Sequence, residues 1–374
     1  MRIRKSKLIY LLSDIFMYIC FFATFVVTNI YNNDILLRIR LIATVIAGIL
    51  GLLAFIRQQR KMNLPIFLFI VLMIVSWILI AIFRPEGMLE LNQFIYSMCY
   101  MGIALNLLSH KQKILPAAIL YYGTLLIMLY RLLIQKVAIR GFLLDGTSYN
   151  YISILAMLYL MLYCLILIQN DRNIPFIIAI PYFVVCILAY GRGGCISGIL
   201  FLGAVIYINF GKIRKRGMKF IVTTSFIILL IIFFQTNIFY DFVATYFGKF
   251  QVAGYVDEAR ITIWSKFIEN NMKGVSAFLL GSNPGLIRSD LNLHNTFLQC
   301  WAHFGFLTFL ISFYSYIRGG IQGVLENKKA YVAMLLIFVI RATTDRLAFW
   351  GYSEPFFYYF IFHSMLNQNE GVVF

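Results

Sequence analysis

The chain has 374 residues, of which 61% are hydrophobic, 17% aromatic and only 13% charged. A soluble domain averages roughly 45–50% apolar and ~25% charged, and a single soluble core stops growing beyond about 250–300 residues, so soluble, disordered and collagen-like classes are excluded. What remains is an all-α, polytopic integral membrane protein, whose formal charge of +17 must be read through membrane topology before any nucleic-acid partner is considered. Cys20, Cys99, Cys164, Cys186, Cys195 and Cys300 lie in or beside apolar stretches and form no CxxC pair, so neither a disulfide framework nor a zinc site is indicated.

The N-terminal segment carries Arg2, Arg4, Lys5 and Lys7 and runs into an apolar stretch at 8–30. That stretch exceeds the ~20 residues needed to cross a bilayer, and with no small-residue cleavage site after it we read it as an uncleaved first span. Further apolar stretches follow at 35–56, 64–83, 91–108, 114–134, 150–168, 174–190, 194–210, 220–235, 294–317, 330–349 and 355–366. The expectation is about twelve transmembrane helices in one polytopic domain, 1–374.

Orientation comes from the basic residues, which mark cytoplasmic loops. With the N-terminus inside, the inner segments hold Arg57, Arg60 and Lys61; Lys111 and Lys113; Arg172; Lys212, Arg214, Lys215, Arg216 and Lys219; and Arg318, Lys328 and Lys329. The alternation holds at every connection except the Arg38/Arg40 pair, and it places both termini in the cytoplasm. Residues 237–293 form one long, less apolar, outward-facing loop. Loops beyond ~12–15 residues are usually functional or disordered, and Phe239, Tyr240, Phe242, Tyr246, Phe247, Phe250, Tyr255 and Trp264 supply material for a packed unit.

Many of the remaining cations sit in or beside the outer halves of spans, where charge is expensive and usually marks a substrate site or a partner. Arg192 lies in Tyr190-Gly191-Arg192-Gly193-Gly194, between an outgoing span and the next one returning. Glycines permit close backbone approach, and the following helix offers unpaired N–H groups and its positive dipole end. Together these describe a phosphate or pyrophosphate site, although an Arg reaching to lipid headgroups in an ordinary hairpin has the same sequence. Asp257 can cap a helix to about Asn271 with Ile261, Trp264 and Ile268 on one face, lying on the outer membrane surface or over a cavity mouth. Arg260 falls in its first turn, where it either meets an anion or pairs with Asp257 or Glu258.

His294 and Asn295 open the span after the loop. A histidine there can act as general base toward a hydroxyl or donate to a phosphate, and Thr296 and Gln299 are placed to meet sugar hydroxyls. Arg341 and Asp345, at i and i+4, read as an internal ion pair with Arg346 beside them; Arg341 and the loop residue Arg288 are also candidates for binding substrate. The chain has no P-loop, dinucleotide fingerprint, Gly-x-Ser-x-Gly elbow or metal-ligand cluster, so no metal or cofactor is expected.

At these stretches the chain resembles the O-antigen polymerase and ligase superfamily, the Wzy-type polysaccharide polymerases and their ligase relatives. The resemblance lies in Ala189-Tyr190-Gly191-Arg192-Gly193-Gly194 at a span end and in Arg260 shortly before Trp264. It continues in the Gly-rich Leu279-Leu280-Gly281-Ser282-Asn283-Pro284-Gly285, in the His-Asn pair of Leu293-His294-Asn295-Thr296-Phe297-Leu298-Gln299, and in Gly305-Phe306-Leu307. Asn150, after Gly146-Thr147-Ser148-Tyr149, matches a further recurrent position. The similarity covers about residues 140–310, and the first five spans match only in hydropathy.

What the resemblance implies is a metal-independent glycosyltransferase of the bacterial cytoplasmic membrane, acting in O-antigen, capsular or exopolysaccharide synthesis. It would move a glycan from an undecaprenyl-pyrophosphate donor to a sugar hydroxyl of a second lipid-linked repeat at the outer face. His294, Arg260 and Arg192 would be catalytic, with Asn295, Gln299, Asn150, Trp264, Arg288 and Arg341 binding substrate. Its partners would be the lipid-linked oligosaccharide, membrane lipid, a flippase and a chain-length regulator, with no nucleic acid. A ligase using another surface acceptor fits the same residues. A non-enzymatic transporter of lipid-linked polysaccharide is the third reading, though transporters bind near the midplane at a repeat interface, whereas the polar residues here gather at the outer face. The topology is checked by single cysteines at Ser276→Cys and Lys215→Cys: an impermeant thiol reagent should label position 276 in intact cells and leave position 215 untouched, and the reverse pattern would invert the membrane orientation.

Overall fold

The computed structural model describes residues 2–29, 34–59, 63–86, 88–135, 149–189, 192–210, 258–288, 291–349 and 353–366. Eight helices come first: α1 (Arg2–Asn29), α2 (Asp34–Gln59), α3 (Leu64–Phe83), α4 (Leu91–Ser109), α5 (Ile114–Leu133), α6 (Tyr149–Gln169), α7 (Phe176–Leu188) and α8 (Arg192–Phe210). Then follow α9 (Glu258–Met272), α10 (Val275–Leu280), a 3-10 turn at Pro284–Leu286, α11 (Thr296–Leu325), α12 (Lys329–Thr344) and α13 (Glu354–Met365). No strand occurs among the described residues. The expected span at 220–235 and the first part of the long loop, 237–257, lie outside them.

Among the described residues, six helices are long and apolar enough to cross a membrane: Lys7–Val27, Asp34–Gln58, Leu64–Phe83, Ile114–Arg131, Tyr151–Gln169 and Thr296–Leu325. α3 shows why they need lipid. It buries Ile66, Phe69, Met73 and Ile80 at helical spacing, yet its opposite face exposes Phe67, Leu68, Ile74, Val75, Ile78 and Ile82. Apolar surface on both sides of a helix is matched by protein on one side and hydrocarbon on the other. α6 is different, with Ile152–Leu167 enclosed almost entirely by protein, so it forms the axis of the bundle. The last expected span, 355–366, is also enclosed: α13 has 12 residues, about 18 Å at 1.5 Å per residue, and is too short to cross the hydrocarbon alone.

α2 and α4 meet through small residues, as membrane helices do when no hydrophobic effect separates helix from lipid. Gly48 and Gly51 of α2 face Cys99 and Gly102 of α4 so closely that a Cβ on Gly48 would lie 2.6 Å from the Cys99 Cα, and one on Gly102 would fall on the Gly48 carbonyl. α4 in turn packs on α13 through a buried polar knot. Ser97 Oγ donates to Glu354 Oε1 at 2.5 Å and sits 2.6 Å from the Tyr358 hydroxyl, while Glu354 Oε2 accepts the Phe349 N–H at 3.0 Å. This knot fixes the return from α12 to α13, where Phe349 adopts φ 57°.

Two expected boundaries move. α11 starts at Thr296 rather than at 294, because Asn295 caps it, and it breaks at Gly305, whose φ of 77° only glycine adopts freely. A side chain at Gly305 would also meet the Leu279 carbonyl at 2.6 Å. The stretch expected as one span thus divides into a short segment before Gly305 and a membrane-length remainder. α12 ends at Thr344 rather than at 349, with Asp345 as its C-cap. For the α2–α4 seam, Gly102→Val should destabilise the purified protein by at least the ~1–3 kcal/mol typical of overpacking, read as a lowered unfolding midpoint in detergent; an unchanged midpoint would show that the two helices are not held at this distance.

Candidate active site

The site assembles on the C-terminal end of α12. A helix leaves its last carbonyls without intrahelical donors, and here three of them accept from side chains distant in sequence. Thr343 O accepts from Asn295 Nδ2 at 3.3 Å, Thr344 O accepts from Arg260 Nη1, and Asp345 O accepts from Thr296 Oγ1 at 2.8 Å. The negative end of the helix dipole favours the Arg260 cation in that place.

Arg341 and Asp345 form the expected i, i+4 ion pair, Nη2 to Oδ2 at 3.2 Å, with Arg341 only 1% exposed. Arg341 Nη2 also donates to Ser153 Oγ of α6 at 3.1 Å. The first turn of α8 closes over this pair: a Cβ on Gly193 would collide with Arg341 Nη1, and one on Gly194 would lie 2.7 Å from Ser153 Oγ. The glycines beside Arg192 are therefore needed so that backbone can lie against a buried guanidinium.

Asp345 has a second partner. Its Oδ1 lies 3.8 Å from His294 Nδ1, an ion-pair separation longer than a hydrogen bond. His294 sits in the left-handed region at φ 51°, uncommon for a residue with a side chain. Its N–H is held by Asn292 Oδ1 at 2.9 Å, and the neighbouring Leu293 carbonyl accepts from Trp264 Nε1 at 2.8 Å. Asn295 completes the turn, its Oδ1 accepting from the N–H groups of Phe297 and Leu298 at 2.9 and 3.1 Å. One asparagine thus caps the start of α11 and ties it to the end of α12.

The structure brings together Gly193, Arg260, His294, Asn295 and Arg341 from the sequence-derived candidates. The Arg192 and Asn150 side chains lie outside the described residues. Trp264 acts as a brace behind His294. Gln299 is fully buried and its amide is engaged within the protein, accepting from Leu293 N–H at 3.1 Å, donating to Leu291 O at 2.7 Å and lying 2.6 Å from His303 Nε2. Thr296 is likewise spent, since its hydroxyl also accepts the Leu347 N–H at 2.8 Å. Both support the site from inside and leave sugar hydroxyls to other groups. Arg288 lies past the Pro284–Leu286 turn on the chain leading to His294.

α9 packs inward through residues beside the expected apolar face, whose isoleucines stay outward. Phe267 and Asn271 are buried and Trp264 half-buried, whereas Ile261 and Ile268 stand 48% and 40% exposed. Phe267 is drawn inward by Trp301, whose ring it meets edge-on at 5.7 Å. Ser153 and the His294–Asp345 pairing were missed in the sequence; the signal for Ser153 was a lone serine in an apolar run. No known family model matches the chain, and no curated protein matches it either.

Chemically, the cluster holds a buried cation, a second cation on a helix end, a carboxylate shared by Arg341 and His294, and the N-terminal ends of α8 and α11. Asp345→Asn would break the buried pair with Arg341, at a cost of about 3–5 kcal/mol, and the double change Arg341→Met, Asp345→Leu should recover most of it. Unfolding of the purified variants tests this, and equal stability of Asp345→Asn and the unaltered protein would remove the ion pair from its structural role.

Proposed function

We propose that the protein is a multi-pass glycan polymerase of the O-antigen polymerase type, working without metal at the outer face of a bacterial cytoplasmic membrane. In this reading it has about twelve spans, as many as the hydropathy allows, both termini in the cytoplasm and the 237–293 loop outside. The single observation that carries the proposal is the meeting of His294 with Asp345 beside Arg341 and Arg260, four residues from three distant stretches of chain.

The reaction transfers a glycan from undecaprenyl pyrophosphate to a hydroxyl of a second lipid-linked repeat. The acceptor oxygen bonds to the anomeric carbon of the donor, the bond from that carbon to the pyrophosphate oxygen breaks, and the acceptor proton passes to His294. A carboxylate facing Nδ1 favours the tautomer with the proton on that nitrogen and leaves Nε2 to accept. Asp345 in turn stabilises the imidazolium that forms. Charge grows on the departing pyrophosphate, and fixed cations and helix N-termini stabilise it more in the transition state than in the ground state. Arg192 and Arg260 are assigned that task; Arg260 has one guanidinium nitrogen on Thr344 O, which orients its planar fork. The apolar outer faces of the bundle accommodate the polyprenyl chain.

Two variants separate the roles. With purified protein in lipid nanodiscs and lipid-linked repeats as substrate, His294→Gln should lower turnover about 10²–10⁴-fold and remove the ascending limb of the pH profile while keeping donor affinity. Arg260→Lys should cost on the order of 10²–10³-fold in rate. Undiminished glycan transfer by His294→Gln would reject the general-base role, and undiminished transfer by both variants would reject the site.

A further inference from the structure

A second cluster lies outside this site, between the C-terminus of α3 and the segment that joins α9 to the His294 turn. Arg84 caps α3, and its Nη2 donates to the Ala302 carbonyl in the short first segment of α11. Its Nε and Nη1 are buried and meet no acceptor, and no carboxylate lies within ion-pair distance of it among the described residues. Burial pulls its pKa down to about 10, which still leaves it a cation at neutral pH. A buried guanidinium donor with no partner is costly, and groups of this kind call for an acceptor.

Arg84 borders a cavity of about 480 Å³, inside the range of roughly 300–1,000 Å³ typical of small-molecule sites. Glu86, Asn270, Lys273, Ser282 and Asn283 also line it. Ser282 is 7% exposed and its Oγ, too, is buried without a partner, while its N–H is held by Asn271 Oδ1 at 2.5 Å. The Lys273 ammonium lies 2.7 Å from Asn270 Oδ1 and 3.7 Å from Glu269, on the exposed rim. Gly281, at φ 80°, lets the wall approach Trp301, where a Cβ would strike the carbonyl.

We propose that this cavity is a binding subsite for an acidic sugar, with the sugar's carboxylate or phosphate on Arg84 and Ser282 and its hydroxyls on Glu86 and the two asparagines. Two cations and a buried hydroxyl favour an oxyanion, while one carboxylate and two amides among them suit the hydroxyls of a polyol better than a bare phosphate. The same segment that carries the cavity walls runs on to His294, so a sugar held here is bound on the chain that positions the proposed base. The inference rests on the glycan-transfer reading for the origin of its ligand and specifies the substrate class: repeats bearing an acidic residue.

Binding is measured on the full-length protein in nanodiscs of phosphatidylcholine alone, with no lipid-linked substrate, so its failure stands apart from a failure of glycan transfer. Free glucuronate should raise the unfolding temperature saturably, as any ligand of the folded state does, and glucose at the same concentration should not. Arg84→Gln should weaken glucuronate about 10- to 100-fold, as loss of a hydrogen bond to a charged group does. Arg260→Gln, at the other site, should leave glucuronate affinity unchanged. Should Arg84→Gln not fold, Ser282→Ala and Lys273→Gln carry the same measurement, each with weakened glucuronate expected. Equal responses to glucose and glucuronate, or a glucuronate response that survives the cavity changes, would overturn the subsite. A response to inorganic phosphate or to added phosphatidylglycerol with none to glucuronate would make it a lipid-headgroup or phosphate site and overturn the sugar assignment.

Discussion

The candidate site depends on the unsatisfied carbonyls at the end of Lys329–Thr344. Those of Thr343, Thr344 and Asp345 must find donors outside their own helix, and the donors come from Asn295, Arg260 and Thr296. Because buried carbonyls are rarely left unpaired, this one helix end gathers the start of α11 and the first turn of α9 around itself. Asn295 is the most economical of the three, since its other amide atom caps α11. The negative end of one helix and the positive start of another are thereby set side by side, which fixes the local field in which any charged substrate would sit.

Burial of Arg341 has a second consequence. The guanidinium, 1% exposed, has Asp345 as a close carboxylate, and Asp345 presents its other oxygen to His294. The histidine is fixed from behind as well: Asn292 holds its N–H, and Trp264 and Gln299 both bond the adjoining Leu293. A non-glycine residue at positive φ persists where its surroundings over-determine it, and here they do. Rigid support of this kind holds the imidazole in one orientation beside Asp345.

The break at Gly305 belongs to the same design. Irregular backbone is held where protein covers and pairs it, and the end of α10 at Leu279–Leu280 together with Trp301, Phe278 and Phe306 provides that cover. Trp301 is the hub, with Phe267 and Phe278 edge-on at 5.7 Å and its Nε1 donating to Phe278 O at 2.8 Å. This small aromatic cluster carries α9 and α10 against α11, and so it sets both the back of the His294 turn and one wall of the Arg84 cavity.

Hydropathy was legible along the chain because lipid demands apolar surface irrespective of what the helices do to one another, so the spanning stretches at 64–83 and 114–134 could be read without a structure. Local periodicity revealed Arg341 with Asp345, four residues apart on one helix, and the glycines beside Arg192 marked a close backbone approach. Which face of α9 turned inward was not legible, because Ile261 and Phe267 are equally apolar and only Trp301, far along the chain, chooses between them. Nor was the pairing of His294 with Asp345, or of Arg341 with Ser153, since a contact between distant residues leaves no trace in local spacing. Those contacts are decided by packing: three helix ends compete for the same few buried donors and acceptors, and one arrangement satisfies them together.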